Sequence, residues 1–130
     1  MSRRGDRIVG QRAHGGVLLV PCLLNDVARY WLLADTGAAL TMITPHVASE
    51  LGVDAVEPIR RERLASLHRS SMAPVIRLES LQIGSLSLHD VEALVLPFPR
   101  ELRLDGLIGV NVLNRFRATF AFDERTLVLR

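Results

Sequence analysis

An apolar run that ends in a carboxylate, followed at once by a hydroxyl and a glycine, is an uncommon way to close a strand. Trp31-Leu32-Leu33-Ala34-Asp35-Thr36-Gly37-Ala38 does this. An aspartate at the end of a buried strand is placed rigidly. Thr36 offers a hydroxyl that can bond to backbone across an interface, and Gly37 permits close backbone approach and can give its N–H to the carboxylate. That is how a carboxylate is preorganised for acid–base work. The tripeptide alone is weak, because a random chain of this size contains Asp-Thr/Ser-Gly about one time in twenty at average residue usage. Its plain alternative is a turn aspartate. Weight comes from a second segment, Leu107-Ile108-Gly109-Val110-Asn111-Val112-Leu113, which sets two apolar residues and a glycine just before a short helix.

Other chemistries find less support. His14, His46, His68 and His89 show no metal-ligand spacing such as His-x-x-x-His, so no metal is expected. Cys22 would need a remote histidine to act as a thiol nucleophile, and it reads instead as a strand residue. Ser70-Ser71 has no recognisable base nearby in sequence. No glycine-rich phosphate loop is present, and no cofactor is implied.

The elements that must position these residues are mainly strands, separated by Gly, Pro, Asn and Asp. Strands are predicted around Val17–Leu24 and Tyr30–Ala34. Thr44 as N-cap, Pro45 at the first helical position and Gly52 past the end frame a helix over His46–Leu51. Glu57–Leu64 and Pro74–Ile83 enclose Ala65–Ala73, a polar stretch suited to a hairpin tip. His89-Asp90 is expected to divide Leu86–Leu88 from Val91–Leu96. Asn111–Phe116 reads as helical, and Ala118–Phe122 with Thr126–Leu129 reads as a terminal hairpin around Asp123-Glu124-Arg125. The expected fold class is all-β with one or two short helices, as one domain over residues 1–130 whose first 14 residues form a flexible or edge segment.

The two motifs in this order, with Asp105-Gly106 before the second and Phe120-Ala121-Phe122-Asp123 and Leu127-Val128-Leu129 after it, resemble the retropepsin-like aspartic peptidases, most closely their bacterial branch. The resemblance runs from about Val17 to Arg130. It implies that Asp35 is catalytic, that Thr36 grips a partner's loop and that Gly37 completes the same loop. Leu107, Ile108 and Gly109 would cross behind it, Asn111 would anchor the helix, and Ala38, Ala39 and Ile108 would meet substrate. Leu67, His68, Arg69, Ser70 and Ser71 sit where that family keeps its flap. Retroviral members commonly carry an acidic residue two after the glycine and an arginine before the helix Asp/Asn. Here both are apolar, Ala39 and Val110, so neither charge is stranded.

Two carboxylates on the order of 3 Å apart cannot both ionise readily, so such a pair shares one proton. One member activates water and the other polarises the scissile carbonyl. The sequence holds a single Asp-Thr-Gly loop, and its other aspartates read mostly as turn residues. Catalysis therefore implies a symmetric homodimer acting on a peptide or protein substrate. The rival reading keeps the fold and denies the activity: a dimeric, inactive peptide-binding or dimerisation module.

Composition narrows the partners. All 16 basic residues are arginine, and 14 acids leave a formal charge of +2, which gives no argument for nucleic acid. Arg60, Arg61, Arg63 and Arg69 are interrupted by Glu62 and have no aromatic neighbours, as in a solvated face. No apolar run reaches the roughly 20 residues a membrane span requires. Arg3-Arg4 could open an export signal, but Pro21 breaks the apolar run and no small-x-small site follows. With a single cysteine, the expected location is the cytoplasm.

Overall fold

Tight turns built from local side-chain chemistry decide where each strand stops. The computed structural model describes residues 5–65 and 70–130. Its strands are β1 (Asp6–Val9), β2 (Gln11–Arg12), β3 (Leu18–Leu24), β4 (Ala28–Ala34), β5 (Thr41–Ile43), β6 (Arg60–Ala65), β7 (Ser70–Ile83), β8 (Leu86–Val95), β9 (Gly106–Ile108), β10 (Ala118–Ala121) and β11 (Thr126–Leu129). Two helices, α1 (Pro45–Leu51) and α2 (Val110–Leu113), complete the frame. The β3–β4 hairpin turns on Asn25 and Asp26, with φ of 52° and 57°. Short polar side chains tolerate that left-handed region, and two such residues in sequence match the twist of the flanking strands.

The larger sheet runs β2-β3-β4-β9-β5-β8-β7-β6, and a further β3–β7 pairing rolls it back on itself. The smaller sheet is β1-β11-β10. One hydrophobic cluster draws on both: Val20, Cys22, Leu24 and Leu32 from the large sheet meet Ile8, Leu127 and Leu129 from the small one. Strict alternation along β3 sends Leu18, Val20, Cys22 and Leu24 inward, which is the period-two signature of a half-buried strand. Burial pushes the Cys22 thiol up to about 12, so it is an inert core residue.

Helix α1 forms for the reasons visible in its sequence. The Thr44 hydroxyl accepts from the Val47 N–H at 3.2 Å, Pro45 takes the first turn, and Gly52 closes the helix at φ 74°. Beyond the unforeseen β5 and the turn that takes Phe122 out of β10, three elements differ from expectation. β8 is one strand, because Asp90 adopts φ 55° while the register Ser80↔His89 and Leu78↔Val91 continues on either side. β7 starts at Ser70, and polar Ser70 and Ser71 pair with Ala65 and Leu64 in a hairpin arm open to water. α2 spans one turn from Val110, and Arg115 and Phe116 tighten behind it through N–H bonds to Val112 and Leu113.

Candidate active site

Strand β4 carries Asp35 to its end and β9 fixes it there. The two run parallel with Ala34 opposite Ile108, and the Asp35 N–H donates to the Ile108 carbonyl at 3.0 Å, extending the ladder by one residue. The Gly37 N–H donates to Asp35 Oδ1 at 2.8 Å, so both backbone and carboxylate are held. Asp35 is half-buried, Thr36, Gly37 and Ala39 are exposed, and Ala38 is buried. No side-chain hydrogen bond of Thr36 occurs among the described residues, which leaves its hydroxyl free within them.

The loop after Asp35 is stitched to the second motif. Val110 N–H donates to the Ala38 carbonyl at 2.7 Å and Asn111 N–H to that of Ala39 at 3.2 Å. Gly109 makes this approach possible, since a Cβ there would lie 2.4 Å from the Leu40 carbonyl carbon. The two apolar replacements, Ala39 and Val110, thus lie on segments joined by backbone hydrogen bonds, Val110 to Ala38 and Asn111 to Ala39.

Beneath the loop lies a lattice that the sequence did not reveal. Asn111 Oδ1 accepts from the Thr41 N–H at 2.8 Å and from the Thr41 hydroxyl at 3.0 Å, and Asn111 Nδ2 donates to the Glu92 carbonyl at 2.9 Å. The Thr41 hydroxyl also accepts from the Gly109 N–H at 3.2 Å. Asn111 therefore ties α2 to β5 and β8 rather than capping its own helix. A threonine between Leu40 and Met42 was the only sequence signal, and a lone polar residue in a short strand does not name its partner.

Other expected site residues fall in different places. Ile108 has 0 % exposure in the main core, and it reaches the Asp35 loop through its carbonyl. Leu107 is buried, opposite Leu33 and Met42. Ser70 and Ser71 are exposed in the arm of the β6–β7 hairpin, while Leu67, His68 and Arg69 lie outside the described residues. A second apolar cluster, Ala73, Val75 and Leu94 with Leu40, Met42, Leu64 and Leu96, joins that hairpin to the strand following the Asp35 loop.

Tyr30, His46, Glu50 and Asp105 gather along α1. The Tyr30 hydroxyl donates to Glu50 Oε1 at 3.1 Å, and burial with that neighbour pushes its pKa up to about 12. Burial also holds the Asp105 carboxyl above the usual carboxylate range, against the opposing pull of the Trp31 N–H and His46. Its own carbonyl accepts from the Thr44 N–H at 3.0 Å, which fastens α1 to the turn before β9. Among the described residues, no cluster of three or more His, Cys, Asp or Glu side chains is placed to hold a metal ion, and no helix is long and apolar enough to cross a membrane.

A family model described as "Aspartyl protease" matches residues 20–112, spanning both motifs. Among solved structures, a retropepsin-like aspartic protease from Rickettsia conorii is similar at a TM-score of 0.74 and 22% identity, with 99% of this chain and 96% of that chain covered. The retroviral protease-like domain of Ddi1 from Leishmania major is similar at a TM-score of 0.62 and 16% identity, with 87% of each chain covered. These likenesses establish the retropepsin-like fold. No curated protein matches the sequence.

Proposed function

Because the chain belongs to the aspartyl protease family, we propose that it is an aspartic endopeptidase whose active site is assembled by two copies, each supplying Asp35. The observation that carries this reading is the Asp35 loop: one carboxylate per chain, with Oδ1 held by the Gly37 N–H. Two such loops facing across a two-fold axis would bring like charges together, and the pair then holds one proton. The ionised Asp35 takes a proton from water as the oxygen attacks the scissile carbonyl carbon. The protonated Asp35 donates its proton to the carbonyl oxygen, giving a tetrahedral diol. Collapse of the diol returns a proton to the amide nitrogen, and the C–N bond breaks. The exposed Thr36 hydroxyl is available to the neighbouring copy's loop, and the β6–β7 hairpin closes over a peptide or protein substrate. The single buried Cys22 suits a reducing compartment, and the cytoplasm is the proposed location.

The test is hydrolysis of an unfolded protein by the wild type and by Asp35→Asn, which keeps the side chain's shape but cannot share a proton. A loss of about 10³-fold or more is expected, with dimerisation retained. Wild-type activity should follow a bell-shaped profile on the acidic side of neutrality, both limbs belonging to the pair. Equal rates for the two proteins would refute the assignment of Asp35. A dimer that binds peptide and hydrolyses nothing at any pH would replace this reading with that of a binding module.

A further inference from the structure

Strand β7 serves two partners and changes from one to the other at Val75. From Val75 to Ile83 it pairs with β8, and from Ser70 to Val75 it pairs with β6. Pro74 stands at the change, where a residue without an N–H suits the end of a ladder. Past the same point β8 runs along β5, and the Leu96 N–H donates to the Ile43 carbonyl at 3.0 Å. Among the described residues, the hairpin arm at 60–65 and 70–74 therefore has no strand partner outside itself.

Side chains have to fasten the arm, and they do so on one face. Alternation along the paired strands sets Leu64, Ala73, Val75 and Leu94 on the face that carries the second apolar cluster, with Leu40 and Met42 from beyond the Asp35 loop. Arg60 and Glu62 share that face on β6, and Glu92 shares it on β8. The Arg60 guanidinium donates from Nε to Glu62 Oε1 at 2.8 Å and from Nη1 to Glu92 Oε1 at 2.7 Å. It thus reaches across β7 and joins the outer strand of the arm to the sheet. A planar fork held by two carboxylates fixes direction as well as charge. Arg77 stands opposite Glu92 on β7 and adds a second positive charge beside it. Glu92 has a further attachment, because its carbonyl accepts from Asn111 Nδ2 at 2.9 Å in the lattice beneath the Asp35 loop.

We infer that Arg60 and Glu92 are positioning residues for peptide hydrolysis: their ion pair straps the β6–β7 arm to β8 across the branch at Val75 and keeps it in the pose that receives substrate. Neither side chain reaches the reacting atoms. The strap acts on the balance between an arm in place and an arm swung open, and substrate binding must reverse any opening. The three side chains are 34–40% exposed. A pair so open to water shifts such a balance by about threefold, and salt screens it. The inference rests on the proposal that this hairpin closes over a peptide, and it adds which contact sets the hairpin's pose.

Glu92→Gln tests it in the full chain, because it removes the charge and leaves the carbonyl that Asn111 uses. Hydrogen exchange at residues 61–65 should quicken about threefold, with the β7–β8 amides at 76–83 unchanged. Glu62→Gln breaks only the pair inside the arm and should leave that exchange at the wild-type rate. Arg60→Gln combined with Glu92→Gln should match Arg60→Gln alone, since both break the same strap. On carboxymethylated casein, the KM of Glu92→Gln should rise about threefold with kcat retained. The gap should close in about 1 M salt, where charges are screened beyond roughly 3 Å. Exchange at 61–65 that is equal in wild type and Glu92→Gln, or that quickens as much in Glu62→Gln, overturns the strap. A fall in kcat with KM unchanged also overturns it and places Glu92 with the Asp35 loop. A wild type that cuts no casein at any pH overturns the peptidase reading and the role in hydrolysis with it, whereas exchange still decides whether the strap holds the arm.

Discussion

Asn111→Ala would remove the side chain that joins three elements behind the Asp35 loop, and the cost can be worked from its partners. Thr41 has 0 % exposure, and both its N–H and its hydroxyl donate to Asn111 Oδ1. Truncation leaves two buried donors without that acceptor, and the Glu92 carbonyl without the Nδ2 donor. A buried group left unsatisfied costs about 1–3 kcal/mol. The carbonyl loses least, having a second lone pair, and Asn111 is itself only half-buried, so water recovers part of the loss. The expected destabilisation is about 2–4 kcal/mol, a large share of the roughly 5–15 kcal/mol that holds a domain folded. Urea unfolding at one fixed protein concentration measures it, with the midpoint falling and the slope unchanged. Asn114→Ala, at an exposed position just beyond α2, is the control and should stay within about 0.5 kcal/mol of wild type. Thr41→Val combined with Asn111→Ala should cost clearly less than the sum of the two, since both remove the same bonds. A loss below about 1 kcal/mol for Asn111→Ala, or simple additivity with Thr41→Val, would refute the lattice.

Two further expectations concern the same region. Gly109→Ala sets a Cβ against the Leu40 backbone, which cannot swing aside as a side chain would, so it should displace the loop at 37–41, cost about 2 kcal/mol or more and remove hydrolysis; a thermal melt and an activity assay matching wild type would contradict this. Asp105→Asn tests the sign of the charge term at the root of β9. The folded Asp105 carboxyl keeps its proton to a higher pH than the unfolded one, so stability from this group is full below the unfolded pKa and is lost as pH rises through the folded value. The variant should lose that part of the slope of melting temperature against pH, and an unchanged slope would show that Asp105 does not titrate with folding.

What was legible in the sequence was local or carried by a motif. The α1 cap needs only Thr44, Pro45 and Gly52, whose chemistry acts over a few residues. The Asp35 loop and the 107–111 segment could be matched because each is short, of fixed composition and in a known order. The lattice between Thr41, Asn111 and Glu92 was not legible, because its members lie on separate elements and polar residues do not specify partners at such distances along the chain. Asp90 was misjudged for the opposite reason: its local preference for a turn is real, but pairing with β7 on either side absorbs a left-handed residue into a continuous strand. The burial of Ile108 was not legible either, because a run of apolar residues does not say which of them the pleat turns into the core.

The pairing of β1 with β11 also bears on when the protein acquires its fold during synthesis. Asp6 lies opposite Leu129, so β1 must wait for a ladder partner made long after it. Leu127 and Leu129 fill the same core as Val20 and Leu32. A nascent chain in which Asp35 has already emerged therefore still lacks the side chains that close its interior, and distant pairings of this kind form slowly. The Asp35 loop is consequently expected to become ordered only after β11 has left the ribosome, so the site proposed to cut peptides stays unfinished until the small sheet is complete.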